Sequence, residues 1–351
     1  MGHVVNIQPN KFERKEVRLM PEKLAVLVQN ELNLNLNEIF SDAVERGIQI
    51  RHLPLYHTQD EKEVIRAARD CNYVIAGREP WNLKTLAACS KDLKLIVRFG
   101  AGYDTVDLMS ATEFGIAVAN APGANARAVA EHTLALMMSV LRNVTRYDRE
   151  LRAGGVVSKM SQTLEGTVAL VGFGNIGQEV ARLLQVFPVR VIAYDPYPNY
   201  EKAAELGVEI VSMNQAIEQA DIISLHLPGT EEMRDFIDSK TISQMKDGVY
   251  IINTSRGSVL DEQALAKALK NGKVAGAGLD AFKIEPFDQN SILKRLPNVV
   301  LTPHAAAVST QGVRGVFESC ANTLSCFLRG QPIASILNPQ YRFYSREYKG
   351  A

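Results

Sequence analysis

Two series of short β-rich runs, separated by helical stretches, run along this chain. The first series is LAVLV (24–28), IQIRHL (48–53), YVIAG (73–77), LKLIVRFG (93–100) and IAVAN (116–120). The second is VALVG (168–172), VRVIAYD (189–195), VEIV (208–211), IISLH (222–226), GVYIIN (248–253), AGAGLD (275–280) and NVVLTP (298–303). Strands that alternate with helices build a parallel sheet, because parallel neighbours need a crossover connection, and the crossover helices cover both faces. The chain has 351 residues, more than one hydrophobic core usually serves. The expected architecture is therefore α/β, with two doubly wound parallel-sheet domains flanking a cleft. Between the two series lies AVAEHTLALMMSVLRN (128–143), apolar on nearly every side, which predicts a helix buried in a core or a subunit interface. Ala121-Pro122-Gly123 and Thr302-Pro303 mark hinges, and residues 312–330 read as a closing helix. If that helix returns to the first sheet, residues 1–121 and 308–351 form one discontinuous domain and 122–307 the other.

Composition excludes several alternatives. Lysine plus arginine and aspartate plus glutamate are both 39, so the net charge is zero and no footprint for nucleic acid is expected. The longest apolar stretch, near Leu134 to Leu141, is far too short to span a membrane. The opening residues carry no apolar core of a secretory signal. Cysteines 71, 89, 320 and 326 form no CxxC pair. They read as thiols of a reducing, cytoplasmic compartment, with no disulfide framework and no metal site.

The segment VALVGFGNIGQEVARLL places Gly172-x-Gly174-x-x-Gly177 between a strand and a helix, with Asp195 ending the next strand 18 residues beyond Gly177. In that setting the first glycine makes a tight turn, the second lets the backbone approach a pyrophosphate, and the third lets helix pack on strand. Phosphates favour the helix N-terminus, where N–H groups are free and the dipole is positive. Asp195 is placed to bond the adenosine ribose hydroxyls and to repel a 2′-phosphate, which predicts NAD over NADP. Glycines kept only for close packing, or an FAD or SAM site, would account for the turn but not for the polar residues past the later strand ends.

There are four of these in the second series: Arg256, Asp280, Glu285 and His304. Each alone has an ordinary structural reading, and histidines 3, 52, 57, 132 and 226 are read as structural. Together, a cation, two carboxylates and an imidazole beside a nicotinamide suit hydride transfer to a ketone. An imidazole donates the proton near neutral pH, a carboxylate partner steadies the imidazolium, and a guanidinium grips a carboxylate with two bonds.

With these residues in place, the chain resembles the NAD-dependent D-isomer-specific 2-hydroxyacid dehydrogenases. The resemblance runs from about residue 70 to 335 through LKLIVRFGAGYDTVD (93–107), NAPGANARAVAEHTLALM (120–137), LEGTVALVGFGNIGQEVA (164–181), DIISLHLPGTEEMRDFID (221–238), INTSRGSVLDEQAL (252–265), GAGLDAFKIEP (276–286) and LTPHAAA (301–307). It implies two Rossmann-like domains. It makes Arg256 the group that binds the substrate carboxylate and carbonyl, Glu285 the acid partner and His304 the proton donor and acceptor. Gly100, Ala101 and Gly102 become the loop that holds the substrate carboxylate. Asn175, Ile176, Asp195, Leu227, Pro228, Thr254, Asp280 and His304 become cofactor contacts beside Gly172, Gly174 and Gly177. The family is usually a homodimer built through the cofactor domain, and the apolar helix near 128–142 fits that interface.

Within this superfamily the glutamate at 285 argues for the hydroxyacid branch, since formate dehydrogenases usually carry glutamine there. Ala305-Ala306-Ala307 replaces a common Ile-Gly-Gly. Arg78 lies near where phosphoglycerate dehydrogenases place phosphate-binding arginines, and Arg127 reads as solvent-facing or as a contact for an anionic substrate. Three readings result: a dehydrogenase of a small D-2-hydroxyacid, a D-3-phosphoglycerate dehydrogenase, or an NAD-binding protein like the C-terminal-binding corepressors that recruits partners. Specificity is expected in loops 52–58, 77–81 and 101–103. No regulatory domain is expected after residue 335.

Overall fold

The computed structural model describes residues 21–55, 58–156 and 160–345. His3, His57 and the outermost parts of the expected first domain lie outside the described residues. Five parallel strands, β1 (Lys23–Val26), β2 (Gln49–His52), β3 (Tyr73–Ala76), β4 (Leu95–Arg98) and β5 (Ala117–Ala119), form one sheet in the order β2-β1-β3-β4-β5. Seven more, β6 (Gly166–Val171), β7 (Val189–Tyr194), β8 (Glu209–Ile210), β9 (Ile222–Leu225), β10 (Val249–Asn253), β11 (Val274–Leu279) and β12 (Val299–Leu301), form the second, in the order β12-β11-β10-β9-β6-β7-β8. Each strand expected from the sequence is present, although the run at 208–211 yields only the two residues of β8. Both sheets are doubly wound, the first in the flavodoxin-type order and the second in the Rossmann order extended by one strand.

The strands are apolar without alternation because helices cover both faces: every residue of β3, β4, β5 and β9 is buried. Helix ends follow local chemistry. Asp261 caps Glu262–Asn271 by accepting from the Gln263 and Ala264 N–H groups at 2.9 and 3.1 Å, and Gly272 ends that helix at φ 83°. The helix Thr310–Leu328 buries Val316, Phe317, Cys320 and Leu324 in the same cluster as Leu24, Ile75 and Val97 of the first sheet. The chain therefore returns to where it began. The helix Ala126–Leu141 lies on the second sheet, close to β11. A Cβ on Gly276 would come within 2.6 Å of Val140, and one on Gly278 within 3.1 Å of Leu136, which accounts for the glycines in AGAGL.

In doubly wound sheets ligands bind beyond the carboxyl ends of the strands, where the strand order reverses. Those points are β1/β3 in the first sheet and β6/β9 in the second, and both open on one cleft.

Candidate active site

The cleft has a volume of about 920 Å³. From the first sheet it receives Val28, Gly77 and Arg78, which follow β1 and β3, and Gly100, Ala101 and Gly102, which follow β4. From the second it receives Ile176, Leu227, Pro228, Thr254, Arg256, Asp280 and His304. Asn120 donates from Nδ2 to the Ala101 carbonyl at 2.7 Å and so fixes the first-sheet loop at the cleft wall.

The glycine turn joins β6 to the helix Asn175–Leu184. Gly172 has φ 103°, and a Cβ there would press into the His226 carbonyl. A Cβ on Gly177 would overlap the Gly172 carbonyl. Gly174 occupies the N-cap without a side chain to satisfy the first N–H groups, and the space beside it is open. These are the conditions a pyrophosphate requires. Asp195, just past β7, accepts from Phe173 N at 2.7 Å through one oxygen and from Tyr197 N at 2.8 Å through the other. Carboxylate oxygens retain further acceptor sites, so ribose hydroxyls fit there as well. Thr254 shares a 2.7 Å hydroxyl contact with Thr133 of the helix Ala126–Leu141.

Arg256 follows β10 on a loop tied by Asn253, whose Nδ2 donates to the Arg256 carbonyl at 2.9 Å and whose Oδ1 accepts from Ser255 N and Oγ. The guanidinium donates from Nη1 to the Ser255 carbonyl at 2.9 Å and from Nε to Asp104 Oδ1 at 3.2 Å. A Cβ at Gly102 would overlap this guanidinium. A side chain at 102 would therefore displace the guanidinium from the place it occupies here.

His304 holds φ 54°, a left-handed conformation that costs a β-carbon residue about 1–2 kcal/mol. Asp280, just past β11, fixes the surrounding loop. Its Oδ1 accepts from Thr302 Oγ1 at 2.6 Å and Ala305 N at 2.8 Å, and its Oδ2 from Ala306 N at 2.9 Å. Asp280→Asn would turn one of those oxygens into a donor facing a donor, in a side chain that is 1% exposed. An unsatisfied buried group costs about 1–3 kcal/mol, so a clear fall in melting temperature is expected. A melting curve unchanged from wild type would remove Asp280 as the anchor of the His304 loop.

His304 Nδ1 lies 2.8 and 3.0 Å from the two Glu285 oxygens. Glu285 also accepts from Phe282 N at 3.1 Å and from Arg78 Nη2 at 2.5 Å. Burial raises its affinity for a proton, but the His304 hydrogen bond and charge, the Phe282 N–H and the Arg78 charge outweigh burial and hold the carboxyl at about 2. Glu285 is thus an acceptor throughout the range in which an imidazole titrates.

The structure gives partners to two further arginines, and places Arg127 facing solvent, the first of its two readings. Arg78 is bound to Glu285 across the cleft, and Arg127 pairs with Glu131 on an exposed helix face. His52, His132 and His226 contact the Val28 carbonyl, Thr302 Oγ1 and Ser224 Oγ. Burial lowers His226 to about 4, so it is neutral. Sequence reasoning missed Asp104 and Arg98. Arg98 ends β4, is fully buried, donates from Nη1 to the Ala76 carbonyl at 2.6 Å and leaves Nε unpartnered. An arginine inside an apolar strand was the signal that marked it.

Residues 134–306 match the family model described as D-isomer specific 2-hydroxyacid dehydrogenase, NAD binding domain. A glyoxylate reductase from Korarchaeum cryptofilum is 35% identical over 311 residues, covering 84% of this chain and 93% of that protein. A D-3-phosphoglycerate dehydrogenase from Arabidopsis thaliana is 43% identical over 249 residues, 70% of this chain. One from Archaeoglobus fulgidus is 38% identical over 252 residues, 71% of this chain. The matches cover 40% and 48% of those two proteins, so the chain spans less than half their length. The solved structure of a glyoxylate reductase from Paecilomyes thermophila superposes with a TM-score of 0.79 at 28% identity, over 91% of this chain and 99% of that one. With the glycine turn, the strand-end residues and these matches in agreement, the chain belongs to the D-isomer specific 2-hydroxyacid dehydrogenase family, and residues 134–306 match that family's NAD-binding domain.

Proposed function

We propose that this protein interconverts a D-2-hydroxyacid and its 2-keto acid with NAD, residues 122–307 holding the cofactor and residues 1–121 and 308–351 the substrate. The observation that carries this reading is the convergence on one cleft of Arg256, the Gly100–Gly102 loop and the hydrogen-bonded His304–Glu285 pair, beside the glycine turn. Bound NAD supplies the hydride acceptor, or NADH the donor, at the substrate's second carbon. The chain's own groups do the rest. Arg256 and the N–H groups of the Gly100–Gly102 loop grip the substrate carboxylate, and Arg256 polarises the carbonyl. His304 commits Nδ1 to Glu285 and offers Nε2 to the substrate oxygen. It gives a proton in reduction and takes one in oxidation. Glu285 fixes the ring and offsets the imidazolium charge.

Three free cysteines are buried, which fits a reducing, cytoplasmic compartment. The exposed apolar side chains Val144 and Leu151, on the helix that follows Ala126–Leu141, are available to a homodimer contact.

Asp195 carries the choice of cofactor. Asp195→Ala removes the charge that a 2′-phosphate would meet, so kcat/KM for NADPH relative to NADH is expected to rise by about 10-fold or more. An unchanged ratio would take Asp195 out of the ribose site.

A phosphorylated substrate is the second reading. It is favoured by the additional cation Arg98 in the cleft wall. Both readings are tested by following NADH absorbance across a panel of 2-keto acids with and without phosphate, with NADPH as control. Turnover of an unphosphorylated acid supports the first reading, and preference for 3-phosphohydroxypyruvate supports the second. NADH binding without turnover overturns both in favour of a partner-recruiting protein.

A further inference from the structure

Two ion pairs cross the cleft in opposite senses. Arg78 of the first half reaches Glu285 of the second, and Arg256 of the second half reaches Asp104 of the first. Asp104 meets a group that binds substrate. Arg78 instead meets the carboxylate behind the histidine, so it acts one step further from the chemistry.

We infer that Arg78 is a positioning residue, which holds the Glu285 carboxylate against His304 from the opposite half and so completes the proton-transfer pair only when the two halves are apposed. The inference rests on the roles proposed above for His304 and Glu285. On its own side, Glu285 is held by Phe282 N at Oε1 and by His304 Nδ1, which lies nearly equidistant from both oxygens. The last torsion of a glutamate is broad, and a ring that straddles both oxygens does little to stop the carboxylate turning. Arg78 Nη2 ties down Oε2, the oxygen that Phe282 does not reach.

The pairing sets charge as well as geometry. Glu285 and Arg78 together are neutral, so protonation of His304 leaves a net positive group facing an anionic keto acid. The same cleft is also lined by the buried Arg98, by Glu31 and Asp280, and by the Asp104–Arg256 and Glu231–Arg234 pairs, which are self-neutralising. Arg78 stands on the residue after Gly77, where β3 ends and the first sheet reverses its order. It is therefore fixed to the first half, and its hold on Glu285 depends on how the two halves meet.

A guanidinium in the same cleft that gripped substrate directly would behave differently. Loss of a direct grip raises KM, whereas loss of positioning lowers kcat. The test is a double-mutant cycle on the full-length protein with its best 2-keto acid. Arg78→Gln is expected to lower kcat about 10- to 100-fold, while KM and NADH affinity, read by fluorescence titration, change by less than about 3-fold. Arg78→Lys is expected to recover part of the loss. In a Glu285→Gln background, Arg78→Gln is expected to cost less than about 3-fold more, because the carboxylate it holds is already gone. Fully additive losses, or a raised KM at unchanged kcat, overturn the inference and make Arg78 a substrate contact. A wild type that binds NADH and turns over no keto acid overturns the dehydrogenase reading itself. The cycle, run only on an active wild type, keeps the two failures apart.

Discussion

Replacing His304 with Ala is expected to cut keto-acid turnover by about 10²- to 10⁴-fold, the usual contribution of a positioned acid–base group, with NADH affinity changed only a few-fold. The acid–base groups bonded to it or to Arg256 are poorly suited to take its place. Glu285, the nearest carboxyl, keeps the Phe282 N–H and the Arg78 charge, which both favour its ionised form, after the imidazole is gone. Arg256 has none to lose. His226 is buried and bonded to Ser224. The left-handed backbone at His304 calls for a control, because a loss of activity could arise from a rearranged loop. His304→Asn serves, since asparagine tolerates that conformation better than other non-glycine residues yet transfers no proton. Both variants should be equally inactive and both should melt cooperatively. Turnover within about tenfold of wild type in either would sink the assignment of His304 as proton donor. The same geometry bears on the pH dependence of kcat. Glu285 should add no ionisation of its own to the profile near neutral pH, because it is held at about 2.

Arg256→Ala is expected to lower kcat/KM by about 10²- to 10³-fold or more. In the proposed role it would remove both a carboxylate grip and a donor to the developing oxyanion, and loss of one such donor alone costs about that much. Arg256→Lys is the more instructive variant. The guanidinium spends Nη1 on the Ser255 carbonyl and Nε on Asp104, and still presents its remaining N–H groups to the cleft. A lysine ammonium is a compact point charge on a flexible stem and cannot satisfy both walls while it meets a substrate in a planar fork. It should recover binding more than turnover, with KM closer to wild type than kcat. Full recovery by lysine would mean that Arg256 supplies charge alone, and retained activity in the alanine variant would exclude it from the site.

Much of this site was legible because its residues lie past strand ends, and strand ends are legible from periodicity. Arg256, Asp280 and His304 each follow an apolar run directly, and the glycine spacing at 172, 174 and 177 declares its own turn. Glu285 was read as the partner of His304 from the family resemblance, since 19 residues of separation carry no distance, and the structure brings Nδ1 to 2.8 Å. Arg78 shows the limit of such reading. Its place near the phosphate-binding arginines of phosphoglycerate dehydrogenases suggested an anionic ligand. The anion it meets is Glu285, 207 positions away. Asp104 offered no signal in GAGYDTVD that its carboxylate would face Arg256.

By itself the sequence determined the elements and their chemistry. Apolar runs without alternation require a parallel sheet covered on both faces, Asp261 and Gly272 bound a helix through local hydrogen bonds and backbone freedom, and the Gly172 turn needs only neighbours a few residues away. All of these are interactions of short range along the chain. The tertiary structure alone decided what those elements face. The return of the helix Thr310–Leu328 to the first sheet, the pairing of Arg78 with Glu285 and of Asp104 with Arg256, and the close seat of the helix Ala126–Leu141 on Gly276 and Gly278 join residues far apart in sequence. The physical reason is that a charge or a glycine specifies what kind of neighbour it tolerates. Which neighbour it gets depends on how two independently wound sheets meet across the cleft.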